Sequence, residues 1–260
     1  MSNVIAYADD IVLLAPSRTG LQILIDVAYT ESAKLELNFN INKSKCMIFC
    51  CSGKKVFNDI NFNIGEIALQ NVDSFKYLGY IIKSNMSNSD DIDRARNRFY
   101  QEFNAIIRKF SFANISVKLF LFSQYCLQFY GTELWFFNKQ SKSNLKQFSI
   151  GYHKAIKKIQ GLSYHESNHY ACQEAKLYTF EHLVNKVKIL FIMRLIRNPC
   201  YFVKNLLSFL TVSSVLYEEV CDLLWRKYDI DSLEDNDKAA IIARIAYIQN
   251  HESQLRVAWE

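Results

Sequence analysis

Two adjacent carboxylates, Asp9 and Asp10, lie between two short apolar runs near the start of the sequence. These runs, residues 4–7 and 11–14, have the composition of short strands, so we predict a β-hairpin whose two-residue turn is the acidic pair. Two like charges on one turn repel each other unless a cation compensates them, and Mg²⁺ binds carboxylate oxygens together with substrate phosphates. Such a pair is compatible with phosphoryl transfer, in which two metal ions about 4 Å apart stabilise the attacking and leaving oxygens. An ordinary solvent-exposed turn is the alternative explanation, and the pair taken alone favours it.

Two further sequence blocks follow the acidic pair. The first contains Asn40, Lys43 and Ser44 and is followed by a strand-like segment at residues 47–49. The second contains Phe75, Lys76, Tyr77, Leu78 and Gly79 and continues into apolar residues 80–82. Gly79 allows a close approach of the backbone because glycine has no Cβ.

The order and spacing of these blocks resemble the palm of reverse transcriptases. The run Tyr7-Ala8-Asp9-Asp10 is similar to the metal-binding hairpin of that family, and residues 75–82 are similar to the hairpin that grips the primer strand. Residues 125–135, which end in Tyr130-Gly131-Thr132-Glu133-Leu134-Trp135, resemble the thumb of polymerases from non-LTR (LINE-type) retrotransposons. The resemblance is good over the first 82 residues and loose beyond them.

The resemblance implies a role for each matching residue. Asp9 is the stronger candidate metal ligand, with Asp10 beside it, and Mg²⁺ or Mn²⁺ is the expected cofactor. Lys43 is expected to approach the nucleotide phosphates as a catalytic residue, and Lys45 is an alternative that the sequence does not separate from it. The residues expected to bind the nucleotide or the primer are Tyr7, Ala8, Phe75, Lys76, Tyr77, Leu78 and Gly79.

The resemblance also implies that parts of the enzyme are missing. Polymerases of this kind take a further catalytic carboxylate from a strand well upstream of the hairpin, and only six residues precede Tyr7. The fingers and the endonuclease of many such elements are also expected to be absent. We therefore expect a fragment, consisting of part of the palm, a thumb and a helical tail, that is inactive alone.

Two other interpretations stay open. A group II intron maturase-type reverse transcriptase shares the hairpin motif, although residues 75–79 and 130–135 favour the LINE-type polymerase. The other is a relic that binds nucleic acid without catalysis. The LINE-type interpretation implies an RNA template, a DNA primer and dNTPs as partners.

The positive charge is concentrated in the middle of the chain. Residues 91–200 contain 17 basic and 7 acidic side chains, whereas residues 1–90 and 201–260 are both slightly acidic. A basic surface binds polyanions because contacts between Lys or Arg and phosphates release condensed counterions. The residues expected to contact nucleic acid are Arg94, Arg96, Arg98 and Lys118. A solvated helix face is the alternative explanation.

Composition and periodicity favour an α+β fold. The 260 residues include only 7 Gly and 2 Pro, which argues against a turn-dense β-sandwich. The periodicity predicts short antiparallel strands and a helix before residue 85, then helices at about residues 91–110, 116–137, 142–160, 179–197, 213–228 and 237–257. The predicted domains are a partial palm at residues 1–88, a helical thumb at 89–165 and a helical C-terminal region at 166–260.

Neither a membrane nor a secreted environment is expected. The apolar runs are too short for a transmembrane helix, and the first residues lack the pattern of a signal peptide. The 7 cysteines are odd in number and have no framework spacing, which is typical of free thiols in a reducing compartment. We therefore expect an intracellular protein of the cytoplasm or nucleus.

Overall fold

A computed structural model of the chain describes residues 3–49, 60–135, 139–205, 222–228, 230 and 238–257. The chain divides into an N-terminal unit, Met1–Ser87, and a C-terminal unit, Asn88–Glu260. All of the described strands belong to the N-terminal unit together with one helix, and the described elements of the C-terminal unit are helical. The predicted α+β class is therefore confirmed.

The N-terminal unit consists of short strand pairs and one helix. Its elements are β1 Asn3–Tyr7, β2 Asp10–Leu14, α1 Arg18–Lys34, β3 Lys45–Cys46, β4 Asn63–Ile64, β5 Ile67–Ala68, β6 Gln70–Asn71, β7 Ser74–Tyr77 and β8 Tyr80–Lys83. The pairs β1–β2, β4–β5 and β7–β8 are antiparallel. The pair β3–β6 is parallel, contrary to the prediction of antiparallel strands alone, because a long crossover rather than a hairpin joins its strands.

Helix α1 packs on the small core of the N-terminal unit. Its N-cap residue Ser17 accepts a 3.2 Å hydrogen bond from the backbone N–H of Gly20, which satisfies one free donor of the first turn. Ile25 is buried on α1, and the other buried members of this core are Cys46, Phe62, Ile64 and Leu69. The tip of the β1–β2 hairpin lies outside this core, since residues 4–10 are exposed.

The described elements of the C-terminal unit are helices of 7 to 22 residues and three shorter helical turns. Its helices are α2 Ser89–Lys109, α3 Ile115–Leu121, α4 Lys139–Gln160, α5 Asn168–Glu174, α6 Phe180–Ile196 and α7 Lys238–Val257. Two π-helical turns, Phe122–Cys126 and Asp222–Lys227, and a 3₁₀ turn, Thr132–Leu134, complete the described elements. No helix in the described ranges is long and apolar enough to cross a membrane.

Aromatic side chains form the centre of the main core of this unit. The Phe99 ring of α2 lies 5.4 Å from the ring of Phe148 on α4 and 5.8 Å from that of Phe122. The same buried cluster includes Phe180 and Val184 of α6, which lie beyond residue 165. The boundary predicted between residues 165 and 166 therefore separates helices that share a core, and the three-domain division stays a prediction.

The helix predicted at residues 116–137 is wrong after Cys126. Helix α3 ends at Leu121, a π-helical turn follows, and Gly131 has a φ of +103°. The helical segment has therefore ended before the chain reaches Gly131, whose left-handed conformation suits glycine. Phe129 and Trp135, on either side of this glycine, are both buried in the core. Most of the helix predicted at residues 213–228 lies outside the described residues.

Candidate functional site

The β1–β2 hairpin turns one residue earlier than predicted. Tyr7 pairs with Asp10 across the ladder, so the two-residue turn consists of Ala8 and Asp9 and Asp10 begins β2. Ala8 has a φ of +53°, and two-residue hairpin loops require a positive φ at their first central position. The predicted hairpin is confirmed, but the prediction that Asp9 and Asp10 both occupy its turn is wrong because the tight loop needs Ala8 at that position.

The hairpin exposes two carboxylates that are open to solvent and to a ligand. Asp9 and Asp10 are both exposed, and within the described part of the chain neither forms an ion pair. Mg²⁺ is usually held by one or two carboxylates together with waters and substrate phosphates, and this pair supplies that number. The described residues contain no group of three or more His, Cys, Asp or Glu side chains placed for a metal. The pair by itself therefore does not make a two-metal centre.

The Asn40 block forms a tight turn that presents Lys43. The Lys43 backbone N–H donates to the carbonyl oxygen of Asn40 at 3.1 Å and to its Oδ1 at 3.3 Å. Ser44 donates to the same carbonyl from its backbone N–H and from its hydroxyl, each at 3.0 Å. Asn40 therefore stabilises this turn. The residue type fits this role, because Asn side chains commonly form hydrogen bonds with nearby backbone groups.

The sequence did not decide whether Lys43 or Lys45 approaches the nucleotide phosphates, and the two lysines differ in their contacts. Lys45 begins β3, and its Nζ donates a 2.7 Å hydrogen bond to Oε1 of Gln70 on the paired strand β6. Lys43 is exposed on the Asn40 turn, and no described residue pairs with its side chain. Of the two lysines, Lys43 is therefore the one available to bind a ligand.

The block predicted to grip a primer is the β7–β8 hairpin. Phe75, Lys76 and Tyr77 lie on β7, and Leu78 and Gly79 form the turn with φ of +45° and +88°. Positive φ at both central residues is the requirement of a type I′ turn, which explains the glycine at the second position. Lys76 is exposed, whereas the Tyr77 hydroxyl is buried with no hydrogen-bond partner among the described residues. The hairpin therefore carries a buried hydroxyl group, on Tyr77, without a described hydrogen-bond partner and an exposed ammonium group on Lys76.

The four residues predicted to contact nucleic acid are each bound to another group of the C-terminal unit. Arg94 pairs with Asp91 at 2.7 Å, Arg96 with Asp93 at 3.0 Å and Arg98 with Glu102 at 2.8 Å, and Lys118 Nζ donates to the Ser111 carbonyl at 2.8 Å. A phosphate that binds these side chains has to compete with those partners. The four side chains therefore lie in the C-terminal unit, but each of them already has a partner within the protein.

Arg94 belongs to a buried network at the start of α2. Asp91 is only 4% exposed, and its two carboxylate oxygens bind Nε of Arg94 at 2.7 Å and Nε1 of Trp135 at 2.8 Å. Arg94 also donates to the carbonyl of Tyr130 at 3.2 Å. These contacts join residues 130–135 to α2. The sequence signal was the spacing of three between Asp91 and Arg94, which places both on one helix face.

The comparison with protein families concerns the N-terminal part of the chain. Residues 1–82 match the family model described as "Reverse transcriptase (RNA-dependent DNA polymerase)". The matched range contains the β1–β2 hairpin, the Asn40 turn and most of the β7–β8 hairpin. No curated protein and no solved structure gives a significant match. The family match therefore supports a reverse transcriptase, an RNA-directed DNA polymerase, as the source of residues 1–82.

Proposed function

We propose that this chain is part of the reverse transcriptase of a non-LTR (LINE-type) retrotransposon and acts inside the cell. In this proposal residues 1–88 are the C-terminal part of the palm, residues 89–165 the thumb and residues 166–260 a helical extension. The observation that carries the proposal is the exposed, unpaired carboxylate pair on the β1–β2 hairpin, within the range that the family model matches. The parent enzyme would copy an RNA template from a DNA primer with dNTPs.

Each element would have a defined part in nucleotidyl transfer. Asp9 and Asp10 would hold Mg²⁺ or Mn²⁺, which when bound neutralises phosphate charge at the reacting centre. Lys43 would approach the nucleotide phosphates from the Asn40 turn, since its ammonium group is not held by a described residue. Tyr7 and Ala8 would lie beside the primer terminus.

The β7–β8 hairpin would hold the primer strand. Leu78 and Gly79 in its turn are partly exposed and have positive φ, and Gly79 lacks the Cβ that would keep a strand away. The exposed ammonium group of Lys76 lies on β7 beside this turn and would contact a primer phosphate.

This 260-residue chain would not extend a primer by itself. In-line displacement requires both metal ions to be held in a fixed geometry, and the described residues supply only two carboxylates at the hairpin. A chain that binds template and primer without catalysis remains the alternative, and so does the maturase-type enzyme. Residues 75–79 and 130–135 are the sequence basis for preferring the LINE-type polymerase.

A Mn²⁺ titration followed by electron paramagnetic resonance tests the metal site. The wild-type chain is expected to bind Mn²⁺ weakly, and Asp9→Asn is expected to abolish that binding because one of two carboxylates is lost. Glu66→Gln, which neutralises an exposed carboxylate elsewhere in the same unit, is the matched control and should bind as the wild type does. Equal Mn²⁺ binding by all three proteins would contradict the proposed site.

Primer extension with the same proteins tests the remainder of the proposal. We expect no extension by the wild-type chain with Mg²⁺, template, primer and dNTPs. Extension that Asp9→Asn abolishes would support the polymerase but refute the proposed inactivity of the 260-residue chain. Extension that persists in Asp9→Asn would contradict both assignments.

A further inference from the structure

A cleft of about 310 Å³ lies in the C-terminal unit beside the end of helix α4. It is lined by Ile150, His153, Lys154, Lys157, Tyr164, Glu166 and Asn168. Pockets that bind small ligands have volumes of about 300–1,000 Å³, so the cleft can accept a group of nucleotide size. It lies outside the range that the family model matches.

The turn after α4 forms one wall of the cleft. Gly161 ends the helix with a φ of +69°, and the N–H of Leu162 donates to the carbonyl of Lys157 at 3.0 Å. The N–H of Gly161 donates to the carbonyl of Lys158 at 3.4 Å, which completes the hydrogen-bond pattern of a Schellman motif. This motif reverses the chain, so Tyr164 lies beside the last turns of α4.

A buried cation lies in the cleft without a counter-ion. Lys157 is only 8% exposed, and its Nζ donates one hydrogen bond, to the carbonyl of Tyr164 at 3.1 Å. An ammonium group has three donors, and a buried charge is costly unless it is paired. No carboxylate in the described part of the chain pairs with Lys157. An anion in the cleft would supply the missing partner.

A second ammonium group lies on the same cleft. Lys154 is exposed one helical turn before Lys157, and its Nζ is 5.6 Å from the centre of the Tyr164 ring. Glu166 is the one acidic residue in the lining, and it forms no ion pair with either lysine. Burial and the charge of Lys157 lower the pKa of His153 to about 4, so this histidine is neutral near pH 7. The lining thus carries two cations against one carboxylate.

An aromatic ring stands at the mouth of the cleft. Tyr164 is 69% exposed, although both lysine ammonium groups lie within about 6 Å of its ring centre. Exposed aromatic rings beside basic side chains are the common device for binding single strands, because bases stack on the ring while cations contact the backbone. Two ammonium groups and one stacking surface therefore match the two parts of a nucleotide.

We propose that this cleft binds one nucleotide of a single-stranded nucleic acid, with its phosphate against Lys154 and Lys157 and its base on the ring of Tyr164. The inference goes beyond the proposed polymerase function, because it involves neither the carboxylate pair nor a primer. A duplex keeps its bases stacked inside, so the cleft selects single strands.

Binding of a fluorescein-labelled single-stranded oligonucleotide to the full chain, measured by anisotropy, tests the proposal. Stacking contributes about 1–3 kcal/mol per base, so Tyr164→Ala should weaken binding about 5- to 150-fold, whereas Tyr164→Phe should keep it. Lys154→Ala should also weaken binding and flatten its salt dependence. Lys158→Ala is the matched control, since it removes an exposed lysine of the same helix that does not line the cleft.

Three further ligands separate this site from general binding of polyanions. An abasic oligonucleotide and a duplex should bind Tyr164→Ala and wild type equally, since neither offers a free base. A free nucleotide offers the same base and phosphate, so Tyr164→Ala should weaken its binding as well. The proposal is overturned if Tyr164→Ala binds the oligonucleotide or the free nucleotide as wild type does, or if Lys158→Ala loses as much affinity as Lys154→Ala. None of these results depends on metal binding or primer extension, so they test the cleft independently of the polymerase proposal.

Discussion

The side chain of Arg94 stabilises the C-terminal unit through the buried carboxylate of Asp91. Removing one partner of a buried pair leaves the other charge without compensation, which commonly costs about 3–5 kcal/mol. Arg94 is 20% exposed, so water would reach part of the site. We therefore expect Arg94→Ala to lower the free energy of unfolding by about 2–3 kcal/mol, measured by urea denaturation.

Arg98→Ala is the control for this prediction. Arg98 also pairs with a carboxylate, Glu102, but its side chain is 59% exposed, and exposed ion pairs contribute about 0–1 kcal/mol. Arg98→Ala should therefore change the free energy of unfolding by less than about 0.5 kcal/mol. Equal losses in the two variants would contradict the structural role assigned to Arg94.

His153 is expected to make the stability of the C-terminal unit depend on pH. Burial and, to a smaller extent, the nearby charge of Lys157 lower its pKa from 6.5 to about 4, against a hydrogen bond to the Ser149 carbonyl that raises it. Between these two pKa values the unfolded chain binds more protons than the folded chain. The contribution of neutral His153 to the free energy of unfolding should therefore be fully present above about pH 6.5 and should be lost as the pH decreases towards about 4.

Comparison with His153→Phe isolates this contribution. The wild-type unfolding free energy should fall faster on acidification than that of the variant, by up to about 1.4 kcal/mol per pH unit, because the other titrating groups are common to both proteins. Urea denaturation between about pH 4.5 and about pH 7 measures both slopes. Parallel pH profiles for the two proteins would show that His153 titrates alike in the folded and unfolded chains.

The β1–β2 hairpin contains a strained residue at its turn. Ala8 has a φ of +53° and is exposed, and glycine adopts this conformation without a Cβ clash. We expect Ala8→Gly to stabilise the hairpin by about 0.5–1 kcal/mol, seen as slower amide hydrogen exchange in β1 and β2. Ala33→Gly, at an exposed position in α1, should instead accelerate exchange in its helix. Faster exchange in the hairpin of Ala8→Gly would contradict the strained turn.

Elements were predictable from the sequence where local pattern alone decides them. The β1–β2 hairpin follows from two short apolar runs around a polar turn, whereas the β7–β8 hairpin was expected from the resemblance of residues 75–82 to the hairpin that grips the primer. The position of the first turn was wrong by one residue, because pairing of Tyr7 with Asp10 requires the positive φ at Ala8, which alanine does not signal. The end of α3 and its π-helical turn at Cys126 was missed because burial of Phe129 and Trp135 in the core, rather than local preference, determines the path of the chain after it.

At the scale of the whole molecule, the sequence predicts charge but not its pairing. The excess of basic residues at 91–200 is visible in the sequence, whereas the partners of Arg94, Arg96 and Arg98 depend on which helix faces carry carboxylates. The cleft beside α4 was also missed, because its residues are brought together only when Gly161 reverses the chain. The carboxylate pair was found since both aspartates are adjacent in the chain.

Duplex binding by the whole chain should therefore depend on its unpaired lysines more than on its paired arginines. Each phosphate neutralised on duplex DNA contributes a slope of about −0.9 to the dependence of log affinity on log salt. Lys146 is exposed on α4 with no partner among the described residues, whereas Arg98 pairs with Glu102. A free lysine loses no ion pair when it contacts a phosphate, while the arginine must exchange one partner for another.

A salt titration of duplex binding, followed by fluorescence anisotropy, compares Lys146→Ala with Arg98→Ala. We expect Lys146→Ala to flatten the slope by about 0.9 and Arg98→Ala to change it by much less, alike for unrelated sequences. If the two variants flatten the slope equally, paired arginines contact phosphates as well as free lysines do. An affinity for duplex that does not vary with salt would mean that the 17 basic side chains of residues 91–200 form only a solvated surface.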